Sequence, residues 1–264
     1  MKITKRTSIV KKNRLFKIVL LTAFIFNFAL ANDTDLASIF EKTKITGTIV
    51  ISSLNDERTY IYNAKRASKQ YIPASTFKIP NTLIALQEKA IRDEYELLKW
   101  DAIEREYNSW NKDQTLQSAI SSSCIWYYQK IARKVGNKKY LKYLNQLQYG
   151  NQQTGEDVET FWLVGNLKIS AMQQIEFLKK LYNNKLPFNQ KHIDTTKKVL
   201  VIHQTQQYTL RAKSGFSGKI GWFVGYVEKK DQVYFFALNA NVTKDTMKYR
   251  KQIVLEALKI KNII

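Results

Sequence analysis

The sequence holds one cysteine, two histidines, three prolines and nine glycines among 264 residues. A lone Cys124 excludes an intramolecular disulfide, and His192 and His203 fit no metal-ligand spacing such as H-E-x-x-H, so no structural metal is expected. Pro73, Pro80 and Pro187 are scattered, and no Pro/Gly/Ser linker, repeat or low-complexity tract interrupts residues 32–264. One compact unit over 32–264 is the expected organisation. With 44% hydrophobic and 12% aromatic residues, such a unit can bury a sizeable core without staples. Acidic residues are scarce too: 22 against 43 Lys and Arg, a formal charge of +21. The lysines are nevertheless dispersed (Lys89, Lys130, Lys142, Lys179, Lys197, Lys229) and no nucleic-acid motif accompanies them, so a solvated basic surface is expected and no nucleic-acid partner.

The only long apolar run is Ile18–Phe28, preceded by seven basic residues from Lys2 to Lys17 and followed by Ala29-Leu30-Ala31. A basic stretch, a short apolar run and a small-residue site make residues 1–31 a secretory signal, cleaved before Asn32. The run is shorter than the roughly 20 residues of a spanning helix, so no membrane span is expected after cleavage and the product is secreted or periplasmic. All seven cations and no acids leave with the signal, so the charge falls from +21 to +14.

Residues 46–54 and 59–62 predict a β-hairpin turning at Asn55-Asp56, so that strands open the mature chain. Ile79, Leu83 and Leu86, and then Tyr140, Leu144 and Leu147, repeat at i, i+4, i+7, and Ser170 with Gln173 forms a capping box. Helices are therefore expected from about 75 to 185. Strand patterns return at 208–213, 219–227 and 232–240, and Val254, Ala257 and Leu258 suggest a closing helix. This order predicts an α+β fold: an antiparallel sheet built from both chain ends, flanked by helices, with a helical lobe inserted between.

Ser75-Thr76-Phe77-Lys78 opens the Ile79/Leu83/Leu86 helix and places Ser75 and Lys78 on one face of its first turn. A serine hydroxyl becomes a good nucleophile only when a neighbouring base takes its proton, and a neutral lysine can do so. A helix start also aims free N–H groups at a developing oxyanion. Alone, S-x-x-K also fits a serine N-cap beside a surface lysine. Ser123 follows 48 positions later in the run Ser121-Ser122-Ser123, where the plain alternative is an N-cap for the next helix. Lys213-Ser214-Gly215 follows a β-like run, where the plain alternative is a strand-edge turn. The ordered set S-x-x-K, internal serine and K-[ST]-G is the signature of penicillin-recognising serine enzymes.

Pro73-Ala-Ser-Thr-Phe-Lys78, Tyr149-Gly150-Asn151, Phe161-Trp162-Leu163 and Lys213-Ser214-Gly215 together resemble the class D, or oxacillinase-type, β-lactamases over essentially the whole mature chain. Trp110 with Asp113, residues 129–136, Ile220-Gly221-Trp222 and Asn239 extend the resemblance. It implies hydrolysis of β-lactam antibiotics through an acyl-enzyme on Ser75. Lys78 would be general base after reaction with carbon dioxide to N6-carboxylysine, the one small molecule required. Ser123 would relay a proton to the departing ring nitrogen, and Trp162 would hydrogen-bond the carbamate. Lys213, Ser214 and Arg250 would hold the substrate carboxylate, and the backbone N–H groups of Ser75 and Phe216 would form the oxyanion hole, beside Ile125 and Gly215. Independently of the resemblance, burial behind Phe77, Ile125, Trp162 and Leu163 would hold the Lys78 amine neutral.

Three positions depart from the family pattern: Ile125 where valine is usual, Val164 where an acidic residue is common, and a short 216–220 segment. The competing readings are a penicillin-binding sensor or transpeptidase that acylates without hydrolysing, and a non-catalytic basic protein that binds the anionic envelope. Cys124 reads as a small buried residue.

Overall fold

The computed structural model describes residues 33–56 and 58–264, so the signal expected over 1–31 lies outside the described residues. A helix, α1 (Thr34–Thr43), precedes the first strand, which corrects the expectation that strands open the chain. The Asp33 side chain caps it by accepting from the Leu36 amide at 3.1 Å, and Lys44 ends it in the left-handed region at φ 54°. Leu36, Ile39 and Phe40 share its buried face, a pattern too short to stand out beside the apolar run that follows.

The hairpin β1 (Gly47–Ser53) and β2 (Thr59–Tyr62) forms as expected, followed by the short α2 (Ala64–Ser68). A 3₁₀ turn over Ala74–Phe77 leads into α3 (Lys78–Gln87). The middle of the chain is less continuously helical than predicted, because residues 88–115 contain the 3₁₀ turn Asn108–Trp110 and an isolated Leu98–Gln114 bridge among irregular backbone. Helices resume as α4 (Leu116–Ser121), α5 (Ile125–Val135), α6 (Asn137–Leu147) and α7 (Ala171–Tyr182). Ser170 and Gln173 make the predicted capping box of α7. Beyond the predicted helical limit, α8 (Gln190–Val199) leads into β3 (Val201–Gln204), an edge strand that sequence patterning missed because most of it faces solvent. The chain closes with β4 (Thr209–Ser217), β5 (Ile220–Glu228), β6 (Val233–Asn241) and α9 (Tyr249–Ile260).

The six strands form one antiparallel sheet in the order β2-β1-β6-β5-β4-β3. Alternate residues of β1 serve opposite faces: Ile49 and Ile51 pack with α1 and α9, and Val50 packs with the helical lobe. The same division holds in β6, where Phe236 and Leu238 face α9 and Phe235 and Ala237 face the lobe. Both sheet faces are thereby covered, and the fold is the expected α+β arrangement. Among the described residues no helix is long and apolar enough to cross a membrane.

Candidate active site

The 3₁₀ turn sets Ser75 at the junction of the sheet and the helical lobe. Ala74 before it adopts φ 49°, a left-handed conformation costly for a residue with a Cβ. Neighbours hold it there: the Trp222 indole donates to the Ile72 carbonyl at 2.8 Å, Thr76 Oγ1 donates to the Pro73 carbonyl at 2.7 Å, and Gln174 donates to Thr76 Oγ1 at 2.9 Å. Gly215 lets β4 pack on this turn, since a Cβ there would stand 3.0 Å from the Pro73 carbonyl oxygen and 3.2 Å from the Thr76 amide.

Lys78 opens α3 and is fully buried, with its Nζ 2.9 Å from Ser75 Oγ. Loss of hydration, with the nearby Lys213 cation as a second cause, holds its amine well below the ordinary lysine range. The Tyr128 ring centroid lies 5.2 Å from Nζ. The Trp162 ring is stacked on Phe77 at 5.7 Å and is fully buried, and its Nε1 has no hydrogen-bond partner. An indole N–H donates and cannot accept, so an acceptor brought to this atom would satisfy it.

The Tyr149-Gly150-Asn151 motif acquires a physical meaning here. Gly150 takes φ 58°, and any Cβ there would overlap the Lys168 carbonyl. Asn151 accepts from the Lys168 amide at 2.9 Å and donates to the Asn166 carbonyl at 2.8 Å. The segment that carries Phe161 and Trp162 is thereby clamped against the lobe.

Ser123 is not the N-cap of α5: that position is Cys124, and Ser123 stands before it at φ 59°. Its Oγ accepts from Lys213 Nζ at 3.1 Å. Lys213-Ser214-Gly215 lies inside β4, paired with Val224, Phe223 and Trp222, so it is continuous strand where the sequence also allowed a turn. Burial and the Arg250 charge push Lys213 down to about 7. Arg250, near the start of α9, donates through Nε to the Met247 carbonyl at 2.7 Å and through Nη1 to the Gly215 carbonyl. Gly221 makes room for this, because a Cβ there would sit 2.8 Å from Arg250 Cδ. Nε and Nη1 of the guanidinium are thus engaged, and Nη2 remains for an anion.

Ser75, Ser123, Ile125, Ser214, Phe216 and Arg250 line one cavity of about 440 Å³. Lys78 joins it through its hydrogen bond to Ser75, and Lys213 joins it through Ser123 while also lining a smaller cavity of about 260 Å³; Trp162 packs on Phe77, next to Lys78 in the chain. Seven of the expected site residues, Ser75, Ser123, Ile125, Ser214, Gly215, Phe216 and Arg250, thus share that cavity, with Lys78 and Lys213 hydrogen-bonded to its serines. Sequence reading missed the rim residues Glu106, Tyr107, Lys244 and Met247, and only the proximity of the last two to Arg250 along the chain could have signalled them. The 216–220 segment is as short as expected: Ser217 pairs with Ile220, and Gly218 at φ 59° with Lys219 makes a two-residue turn. Val164 is 76% exposed, so that departure faces solvent. Among the described residues no cluster of three or more His, Cys, Asp or Glu side chains is placed to hold a metal ion.

The penicillin binding protein transpeptidase domain family matches residues 41–259. Beta-lactamase OXA-3 of Pseudomonas aeruginosa is 40% identical over 233 residues, 86% of this chain and 85% of that protein. Beta-lactamase OXA-48 of Klebsiella pneumoniae is 40% identical over 230 residues, 85% of this chain and 87% of that one. The chain belongs to the class D β-lactamases. Two solved class D enzymes share its fold: YbXI from Nostoc, with a TM-score of 0.85 at 38% identity, covering 87% of this chain and 99% of that one, and FUS-1 (OXA-85) from Fusobacterium nucleatum subsp. polymorphum, with a TM-score of 0.86 at 35% identity, covering 88% and 99%. This class D β-lactamase is thus a hydrolase of the β-lactam amide, and the basic envelope-binding alternative falls away.

Proposed function

We propose that this enzyme opens β-lactams by forming an acyl-enzyme on Ser75, with Lys78 as the base-bearing residue in N6-carboxylated form. The observation that carries the reading is a desolvated lysine amine 2.9 Å from a serine hydroxyl, and the buried Trp162 indole N–H, packed on the neighbouring Phe77 and without an acceptor, supports it. Only a neutral amine adds carbon dioxide, and burial supplies the neutral amine. The residues fit the adduct: Trp162 Nε1 would donate to it and Ser75 Oγ would face it. When present, the carbamate supplies an anionic general base within reach of the serine and of a hydrolytic water.

The chain's own groups do the rest. Lys213, Ser214 and Arg250 through its Nη2 bind the substrate carboxylate, which brings the β-lactam carbonyl to Ser75. The amides of Ser75 and Phe216 receive the oxyanion. As Ser75 Oγ attacks, its proton leaves towards the Lys78 side, and Ser123, fed by Lys213 at 3.1 Å, protonates the departing ring nitrogen. Water then attacks the ester by the same route, and the acid product leaves. Residues 32–264 form one catalytic unit in this reading, the leader 1–31 is removed, and the enzyme works in the periplasm or outside the cell.

Intact-mass measurement with a slowly hydrolysed β-lactam is expected to show one adduct that maps to the peptide containing Ser75. An adduct elsewhere overturns the assignment, and an adduct on Ser75 that never decays returns the protein to the acylating-sensor reading. Arg250→Ala is expected to lower kcat/KM about 10- to 100-fold, mainly through KM, because a charge-assisted carboxylate contact is worth about 1.5–3 kcal/mol and acts in ground and transition states alike. Unchanged kinetics would remove Arg250 from the site.

A further inference from the structure

Two rim residues meet across the cavity mouth from distant parts of the chain. Glu106 and Lys244 both line the cavity and pair at 2.7 Å. Each comes from a braced loop. On the Glu106 side, the Arg105 amide donates to Asn111 at 2.9 Å, the Asn111 side chain donates back to the Arg105 carbonyl at 3.0 Å, and Tyr107 packs on Trp110 at 4.8 Å. Trp110 is in turn fixed to the Ser122 carbonyl at 2.9 Å. On the Lys244 side, the Thr243 amide donates to Thr246 Oγ1 at 2.8 Å, and the Val242 amide donates to the Lys219 carbonyl at 2.9 Å. The backbone that carries each charge is therefore held in place beside the cavity.

The Glu106 and Lys244 side chains are 60% and 67% exposed, so the pair is weak and exchanges easily with a competing ion. Besides this pair, the lining carries the Arg250 cation. A second anion on a ligand meets an attractive field there, whereas a second cation would approach Glu106 against Arg250. We propose that Lys244 forms a subsite for a second carboxylate, so that β-lactams bearing one on the acyl side chain displace Glu106 and are favoured substrates. Glu106 acts as an internal competitor that occupies Lys244 when the ligand has no such group. This rests on the β-lactamase mechanism above, with the ring carboxylate held by Lys213, Ser214 and Arg250.

The test compares benzylpenicillin with its α-carboxy derivative, two molecules that differ by one carboxylate. In Lys244→Gln the ratio of kcat/KM for the dicarboxylate to that for benzylpenicillin should fall about tenfold. In Glu106→Gln the ratio should rise about threefold, and the double variant should match Lys244→Gln. Raising ionic strength from about 0.05 to about 0.5 M should lower the ratio in the wild type and leave it flat in Lys244→Gln. Thermal melts of the exposed single variants verify folding. A wild type that hydrolyses benzylpenicillin, with a ratio unaltered in Lys244→Gln, overturns this subsite alone. A wild type that neither hydrolyses benzylpenicillin nor is acylated by it overturns the mechanism and the subsite together.

Discussion

Lys78→Ala is expected to lose about 10²–10⁴-fold in turnover, the usual contribution of a positioned general base, while retaining slow acylation of Ser75. A burst followed by arrested hydrolysis is the kinetic sign. In the wild type the same loss should be produced without mutation by degassed buffer at mildly acidic pH. The sign follows from the direction of the shift: burial places the Lys78 pKa below its ordinary value, so the reactive amine is present above that lowered pKa and disappears as pH falls through it. Added bicarbonate should restore the rate, and ¹³C-labelled bicarbonate should give a carbamate resonance that Lys78→Ala lacks. Full rate in bicarbonate-free acid, or a resonance that persists in Lys78→Ala, would overturn the assignment. The same depressed pKa means that folding releases a proton from this lysine, so its contribution to stability is unfavourable below about pH 10.4 and grows more so as pH falls, until the amine protonates. Lys78→Ala therefore escapes this desolvation cost, which allows the loss of turnover to be read on a folded enzyme.

Trp162→Phe should separate the indole N–H from the ring that carries it. The Trp162 ring packs against both Phe77 and Phe161, and an aromatic replacement keeps much of that contact. We expect a stability loss of about 1.5 kcal/mol or less for Phe, against about 3–5 kcal/mol for Trp162→Ala, which opens a cavity in the cluster. The functional effect should be larger than the first figure suggests. A charge-assisted donor worth about 1.5–3 kcal/mol corresponds to roughly a 10- to 100-fold rise in the bicarbonate concentration needed for half-maximal rate. An unchanged bicarbonate demand in Trp162→Phe would leave the orphaned Nε1 without the role proposed for it.

The central residues of the proposed site were legible because their chemistry is written in short local patterns. Ser75 and Lys78 must share one turn, and Lys213-Ser214-Gly215 must lie on a strand, so spacing and order announced them. The environment that tunes them was legible only as an expectation of burial. That Trp162 would have an unpaired N–H, or that Lys213 would reach Ser123, depends on Gly150 clamping one segment and on Gly215 admitting another. The rim was not legible, because Glu106 and Lys244 are joined by no periodicity and meet only when the lobe closes over the sheet. The same holds for α1 and β3: each is short, and each is fixed by its position against larger elements more than by its own propensity.

The sheet order has a consequence for how the chain is made. β1 is an interior strand, and its neighbour on one side is β6, with Gly47 opposite Ala240 and Ser53 opposite Tyr234. The first strand synthesised therefore waits for the last before its second ladder can form. Lys261, near the end of the chain, then ties back to Asp33 and Asp35 at 2.8 Å. During synthesis at about 5–20 residues per second the early hairpin remains an open edge for many seconds, and long-range pairing of this kind is slow. A nascent chain lacking β6 can hold no completed sheet, so it stays threadable until translation is nearly finished. The topology itself therefore delays completion of the sheet until the last strands have been made.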